Sequence, residues 1–200
     1  MIHLRALPRL FCLFTVTLAL AGCLSTPPSS LIKLSRLSPL EANPADIRLA
    51  VRAPDQLLLR DGDVLLRIRY DASSAENSFI EEYAAMIAAV DRPAPGIQVS
   101  PGDGTRTFIA ALTPEDARSM AAAQSRIRAL RANSDKGKGS ISIQAGGCAL
   151  RPFPSGPIFI ATWLQTAPAD EFFVINRRLD LRKAAREAGA TDSLFAPCNA

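Results

Sequence analysis

The order of residues over the first 23 positions constrains this chain more than any other feature. Arg5 and Arg9 come first, an apolar run of 11 residues from Leu10 to Leu20 follows, and the small residues Ala21 and Gly22 lead to Cys23. Charge, apolar stretch and small cleavage site in that order form the physical pattern of a secretory signal peptide. The run is too short to cross a bilayer as a helix, which takes about 20 apolar residues. Whatever folds therefore lies downstream, on the far side of an exporting membrane.

The four residues Leu20-Ala21-Gly22-Cys23 resemble the lipobox of bacterial lipoproteins. The resemblance covers residues 1–23 only. It implies removal of 1–22, a thioether-linked diacylglycerol on Cys23 and an acyl chain such as palmitate on the new amino group. Stable anchoring needs at least two chains, so such a Cys23 would hold the protein firmly to a membrane. Leu24, rather than Asp, after the lipidated cysteine resembles the outer-membrane default of some Gram-negative bacteria, which favours that membrane over the inner one.

Cleavage would remove His3, the single histidine, and would lower the net charge from +4 to +2 by taking Arg5 and Arg9. A near-neutral exported chain lacks the basic excess of a nucleic-acid binder. The remaining 178 residues suffice for one domain and a tether. Of the four cysteines, Cys12 leaves with the signal and Cys23 carries lipid, so Cys148 and Cys198 form the one available intramolecular pair. In an oxidising compartment such a pair is expected as a disulfide. Closing a loop of that length contributes ~4 kcal/mol at most by loss of chain entropy. The rival readings, a metal pair or a reactive thiol, find neither a histidine nor a C-x-x-C to support them.

From Leu24 to about Ala45, Pro27, Pro28, Pro39 and Pro44 with Ser25, Ser29 and Ser30 read as an extended tether, whose later half carries Leu31, Ile32, Leu34 and Leu37 as apolar docking groups. The domain then spans 46–200. Ile47, Leu49 and Val51, then Val64, Leu66 and Ile68, alternate with polar or small residues at strand period, and Arg60-Asp61-Gly62-Asp63 between them predicts a hairpin turn. Phe79, Tyr83, Met86, Ile87 and Val90 recur at helical spacing among alanines, which predicts a helix over 76–90 with Glu76, Glu81 and Glu82 outward; a strand is the alternative. Ile97–Val99 and Thr105–Leu112 read as strands around a Pro101-Gly102-Asp103-Gly104 turn.

Thr113-Pro114-Glu115-Asp116 combines a capping hydroxyl, proline at the first helical position and acids in the first turn, so a helix should run to about Arg131 with Met120, Ala123, Ile127 and Leu130 inward. Lys136-Gly137-Lys138-Gly139-Ser140 lacks the spacing of a phosphate-binding loop and reads as a flexible connector. Ile141 and Ile143, Ile158 to Thr162, and Phe172 to Ile175 predict three further strands, and Asp180 caps a short helix through Ala188 stopped by Gly189.

The fold class is therefore α+β: a β-rich single domain, an antiparallel sheet or sandwich of six to eight strands with one secure helix and one or two shorter ones. Without imidazole and with its thiols committed, the mature chain offers no Ser-His nucleophile and no metal set beyond carboxylates. Adjacent acids such as Glu81-Glu82 and Asp170-Glu171 point to opposite faces of a strand, so neither pair converges. No metal or cofactor is implied. Arg126, Arg128, Arg131, Lys136 and Lys138, and a second group at Arg177, Arg178, Arg182, Lys183 and Arg186, are candidates for contact with anionic surfaces or else solvated helix faces. These observations lead to the expectation of a non-enzymatic, periplasm-facing binding or assembly-accessory module that meets the membrane through Cys23 and a partner protein of the envelope. A carboxylate-dependent envelope hydrolase is the alternative.

Overall fold

A computed structural model describes residues 40–90, 94–98, 102–187 and 195–198. The signal segment, Cys23 and most of the tether lie outside these residues, as do the Val99 end of one expected strand and the Gly189 helix stop. The strands are β1 (Arg48–Pro54), β2 (Leu57–Leu58), β3 (Val64–Asp71), β4 (Phe79–Val90), β5 (Thr105–Leu112), β6 (Lys138–Ala145), β7 (Cys148–Ala149), β8 (Phe159–Gln165), β9 (Phe173–Asp180) and β10 (Ala196–Pro197). The helices are α1 (Pro114–Ala132) and α2 (Leu181–Glu187). Seven strands form one antiparallel sheet in the order β6-β3-β4-β5-β1-β8-β9, and the two-residue strands make a second sheet, β10-β7-β2. The domain is thus β-rich α+β, with α1 laid across one face.

The sequence signals at the start of α1 act as read: the Thr113 hydroxyl accepts the Asp116 N–H at 3.0 Å, and Pro114 fills the first position. Its inward stripe is Ala117, Met120, Ala123 and Ile127, all buried, with Leu130 packed at the margin. Burying each large apolar side chain contributes ~1.5–3 kcal/mol, so this stripe rather than helix propensity seats α1. Opposite it, the sheet supplies Leu66, Ile68 and Tyr70 from β3, Tyr83 and Ala85 from β4, and Phe108 and Ala110 from β5. The alternation in β3 is clean, burying Val64, Leu66, Ile68 and Tyr70.

Ile97 and Gln98, expected to open a strand, belong to none, and three further expectations are overturned. Residues 79–90 form β4, not a helix, held between β3 and β5 with Leu66 opposite Tyr83 and Ile87 opposite Ala110. Phe79, Tyr83 and Ile87 are four apart, a spacing that satisfies the helical period and the strand period alike, and pairing along both edges outweighs the helix preference of the alanines. The Asp61-Gly62 turn exists, with Asp63 N–H on Arg60 O at 2.9 Å, but it joins no hairpin. The edges of β1 are taken by β5 and β8, those of β3 by β4 and β6, and the turn instead docks on β4, where Asp61 Oδ1 accepts the Ile87 N–H at 2.6 Å.

The third concerns the stretch after α1, expected as a flexible connector. Asp135 there accepts from Tyr70 Oη at 2.6 Å, the Gly137 N–H at 2.7 Å and the Ser73 N–H at 3.0 Å, and Lys138 already belongs to β6. Those donors, the Tyr70 hydroxyl first, hold the Asp135 carboxyl below the usual carboxylate range, while the hydrogen bond to Asp135 raises the Tyr70 phenol. Gly137 is required at this point, because a Cβ there would lie 2.5 Å from Asp71 O and 2.7 Å from the Tyr70 ring.

Candidate docking surfaces

Cross-strand register assigns the side chains of the large sheet to two faces. The inner face lies under α1. The outer face divides into a covered half and a bare half. Over β1 and β8, Ile97 and Phe172 lie on Ala50, Ala161 and Trp163 and form a second buried cluster. The cover is a tight one: Phe172 N–H donates to Pro95 O at 3.1 Å, and Gly96, at φ +88°, sits where a Cβ would collide with Phe172 O at 2.1 Å. Arg52 extends the cover, donating to Gln98 O at 2.8 Å with its guanidinium 5.7 Å from the Trp163 ring centre.

Over β3, β4 and β5 nothing among the described residues covers the outer face. Leu65 stands opposite Ala84, Met86 opposite Ala111 and Ala88 opposite Ile109, so the apolar groups form a continuous strip. Ala84 and Ala88 are exposed and Met86 is 53% exposed, while Ile80, equally exposed on the same face, lies beyond the Arg67–Glu82 pair. A single cross-strand row shows the division: Ala88 is open, Ile109 half-buried, Ala50 and Trp163 buried. Of the charges bordering the strip, Arg67 pairs with Glu82 and Arg69 with Asp71, while Arg48, exposed opposite Ala111, has no carboxylate partner among the described residues. At the sheet edge β6 pairs with β3 alone, and its Ile143, opposite Leu66 on the inner face, is 44% exposed.

The expected carboxylate pairs are separated by the fold. Glu81 accepts from the Tyr83 hydroxyl, and Glu82, on the opposite side of β4, binds Arg67. Burial, reinforced by Glu81, pushes the Tyr83 phenol up. Asp170 and Glu171 are exposed, Asp170 sitting in a turn closed by its N–H on Ala167 O at 3.0 Å.

The basic group 126–138 does not gather into one patch. Arg126 lies over the Phe79 ring at 4.4 Å and Arg131 over Tyr70 at 6.0 Å, at the cross-strand pair where β3 and β4 end and begin. Arg128 instead donates to Leu40 O and to Ser125 Oγ, tying the incoming chain to the helix beside Gln124, whose amide binds Ala42 O at 3.0 Å. Lys136 is exposed, and Lys138 pairs with Asp71 in register on the β3–β6 edge. In the second group Arg178 lies 3.8 Å from the Phe159 ring centre and Lys183 faces Glu187. Cys23 falls outside the described residues. Cys148 and Cys198 are joined as a disulfide, which fixes β10 beside β7.

No protein-family model matches the chain, and no curated protein or solved structure matches it. Among the described residues no helix is long and apolar enough to cross a membrane. Helical spacing places Met86 with Tyr83 and Ile87 and so hides the bare half of the outer face; strand alternation of Tyr83, Ala85 and Ile87 against Ala84, Met86 and Ala88 is the signal that finds it.

Proposed function

We propose that the mature protein is a lipid-anchored envelope lipoprotein, held facing the periplasm through Cys23, that acts without catalysis as a binding or assembly-accessory module. The observation that carries this reading is the uncovered apolar strip on β3, β4 and β5, with Met86 half-exposed in the middle of a sheet whose other half is sealed. Contiguous apolar surface of this kind marks interaction sites. The occupant is an apolar surface of another envelope protein. An anionic membrane surface suits the strip less well, since Glu82 and Asp71 neutralise two of its neighbouring arginines and leave Arg48 alone to face headgroups, a single charge worth about 1 kcal/mol. The outer membrane is the favoured site of anchoring, on the strength of Leu24.

Affinity purification of the lipidated protein from native envelopes tests the reading. A partner retained by wild type and by the helix-surface variant Arg118→Glu, and lost with Met86→Glu, is the expected result. Retention by Met86→Glu would contradict it, as would turnover of envelope polymer abolished by changing Glu81, Glu82, Asp170 or Glu171. The anchor has its own check: mass spectrometry of the membrane fraction should find Cys23 as an acylated amino terminus, and a mature protein starting elsewhere would remove it.

A further inference from the structure

A second recess lies beside the disulfide, away from the bare strip in sequence and in composition. The segment after β7, the start of β8 and the β10 strand surround a groove of about 550 Å³ with Leu150, Phe153, Ile158, Phe195 and Pro197 along it. That volume is in the range of small-molecule sites. Leu150 is 49% exposed on it, and Phe153 and Phe195 meet as tilted rings 5.8 Å apart. Two guanidinium groups stand at its margin. Arg151 is neutralised by Asp55 at 2.8 Å, whereas Arg182 donates to the neutral carbonyl of Pro154 at 3.0 Å and has no carboxylate in ion-pair range among the described residues.

Part of the main chain around the groove is already satisfied. Leu150 N–H donates to Gln56 O, Cys198 N–H to Ala149 O, Leu181 N–H to Ile158 O, and Pro152 and Pro197 carry no N–H. Against this apolar lining a bound peptide would bring backbone groups of its own to satisfy, whereas a hydrocarbon chain brings none. An uncompensated guanidinium at the end of an apolar trough complements one anionic group.

We infer that this groove binds a single acyl chain bearing an anionic head, with the hydrocarbon along Leu150, Phe153 and Phe195 and the head on Arg182. The site goes beyond the docking reading and does not depend on it.

Calorimetry with dodecanoate, dodecyl phosphate, dodecanol and decanoate tests it, on the mature chain with Cys23→Ser so that no detergent competes. Dodecanoate and dodecyl phosphate should bind alike, and dodecanol about tenfold more weakly, the scale of one charge-assisted hydrogen bond. Decanoate, two methylenes shorter, should bind about fifteenfold more weakly than dodecanoate, since each buried methylene is worth roughly fourfold. Arg182→Met should remove the preference for dodecanoate over dodecanol without weakening dodecanol. Leu150→Asp, at a half-exposed position that the fold does not need, should weaken both at least tenfold. Equal affinity for alcohol and carboxylate would overturn the inference, as would dodecanoate binding that survives Leu150→Asp and is lost with Met86→Glu. Tighter binding of an apolar peptide with a free carboxyl terminus than of dodecanoate would overturn it too.

Discussion

The two halves of the outer sheet face are built alike and finished differently. Both present small and apolar residues in register across neighbouring strands, yet Trp163 is 3% exposed under Ile97 and Phe172 while Met86, on the same face, is 53% exposed. In the covered half the chain supplies its own lid, tied by the Phe172 N–H to Pro95. In the bare half the described chain supplies none. One sheet therefore carries a sealed apolar half beside one that the described chain leaves open, and the proposed docking role rests on that difference.

The comparison breaks most severely at Trp163. Trp163→Ala should lower unfolding stability by about 3–5 kcal/mol, the range for emptying an aromatic core site, read as a drop in the urea midpoint at unchanged slope. Next comes the covalent tie. Cys148→Ser with Cys198→Ser should cost about 2–4 kcal/mol, because the bridge spans a sequence separation of 50. Thiol labelling of unreduced exported protein should leave both cysteines unmodified, and free labelling of both would contradict a native bridge.

A smaller loss is expected for Asp135→Asn, which weakens three hydrogen bonds at the β3–β6 edge. Because the folded Asp135 carboxyl lies below its unfolded value of about 3.9, its contribution is present above that pH and disappears as pH falls through the lower folded value. The wild type should thus lose stability in acid below about pH 4, and the variant should lose less. Chemical denaturation at pH 7 and pH 3 measures this. The smallest effect on folding should come from the bare half itself: Met86→Ser should shift stability by no more than about 0.5 kcal/mol, as a surface change does.

What the sequence disclosed follows from how local each signal is. The start of α1 was readable because Thr113, Pro114 and Asp116 act within one turn. The disulfide was readable by counting, given an oxidising compartment. β4 was not, since a spacing of four at Phe79, Tyr83 and Ile87 fits two periods and the deciding partners, β3 and β5, come from elsewhere in the chain. The anchoring of Asp135 was hidden for the same reason: Tyr70 and Ser73 lie more than 60 residues away in sequence. The bare strip could be seen only once β4 was a strand, because its residues share a face at period two and not at 3.6.

Site-specific photo-crosslinking in native envelopes tests most directly whether the uncovered strip is a contact surface. A photoreactive residue replacing Met86 should give a discrete adduct with another envelope protein, and one replacing Arg118 on the exposed side of α1 should give none. An adduct from position 118 with none from position 86 would contradict the account.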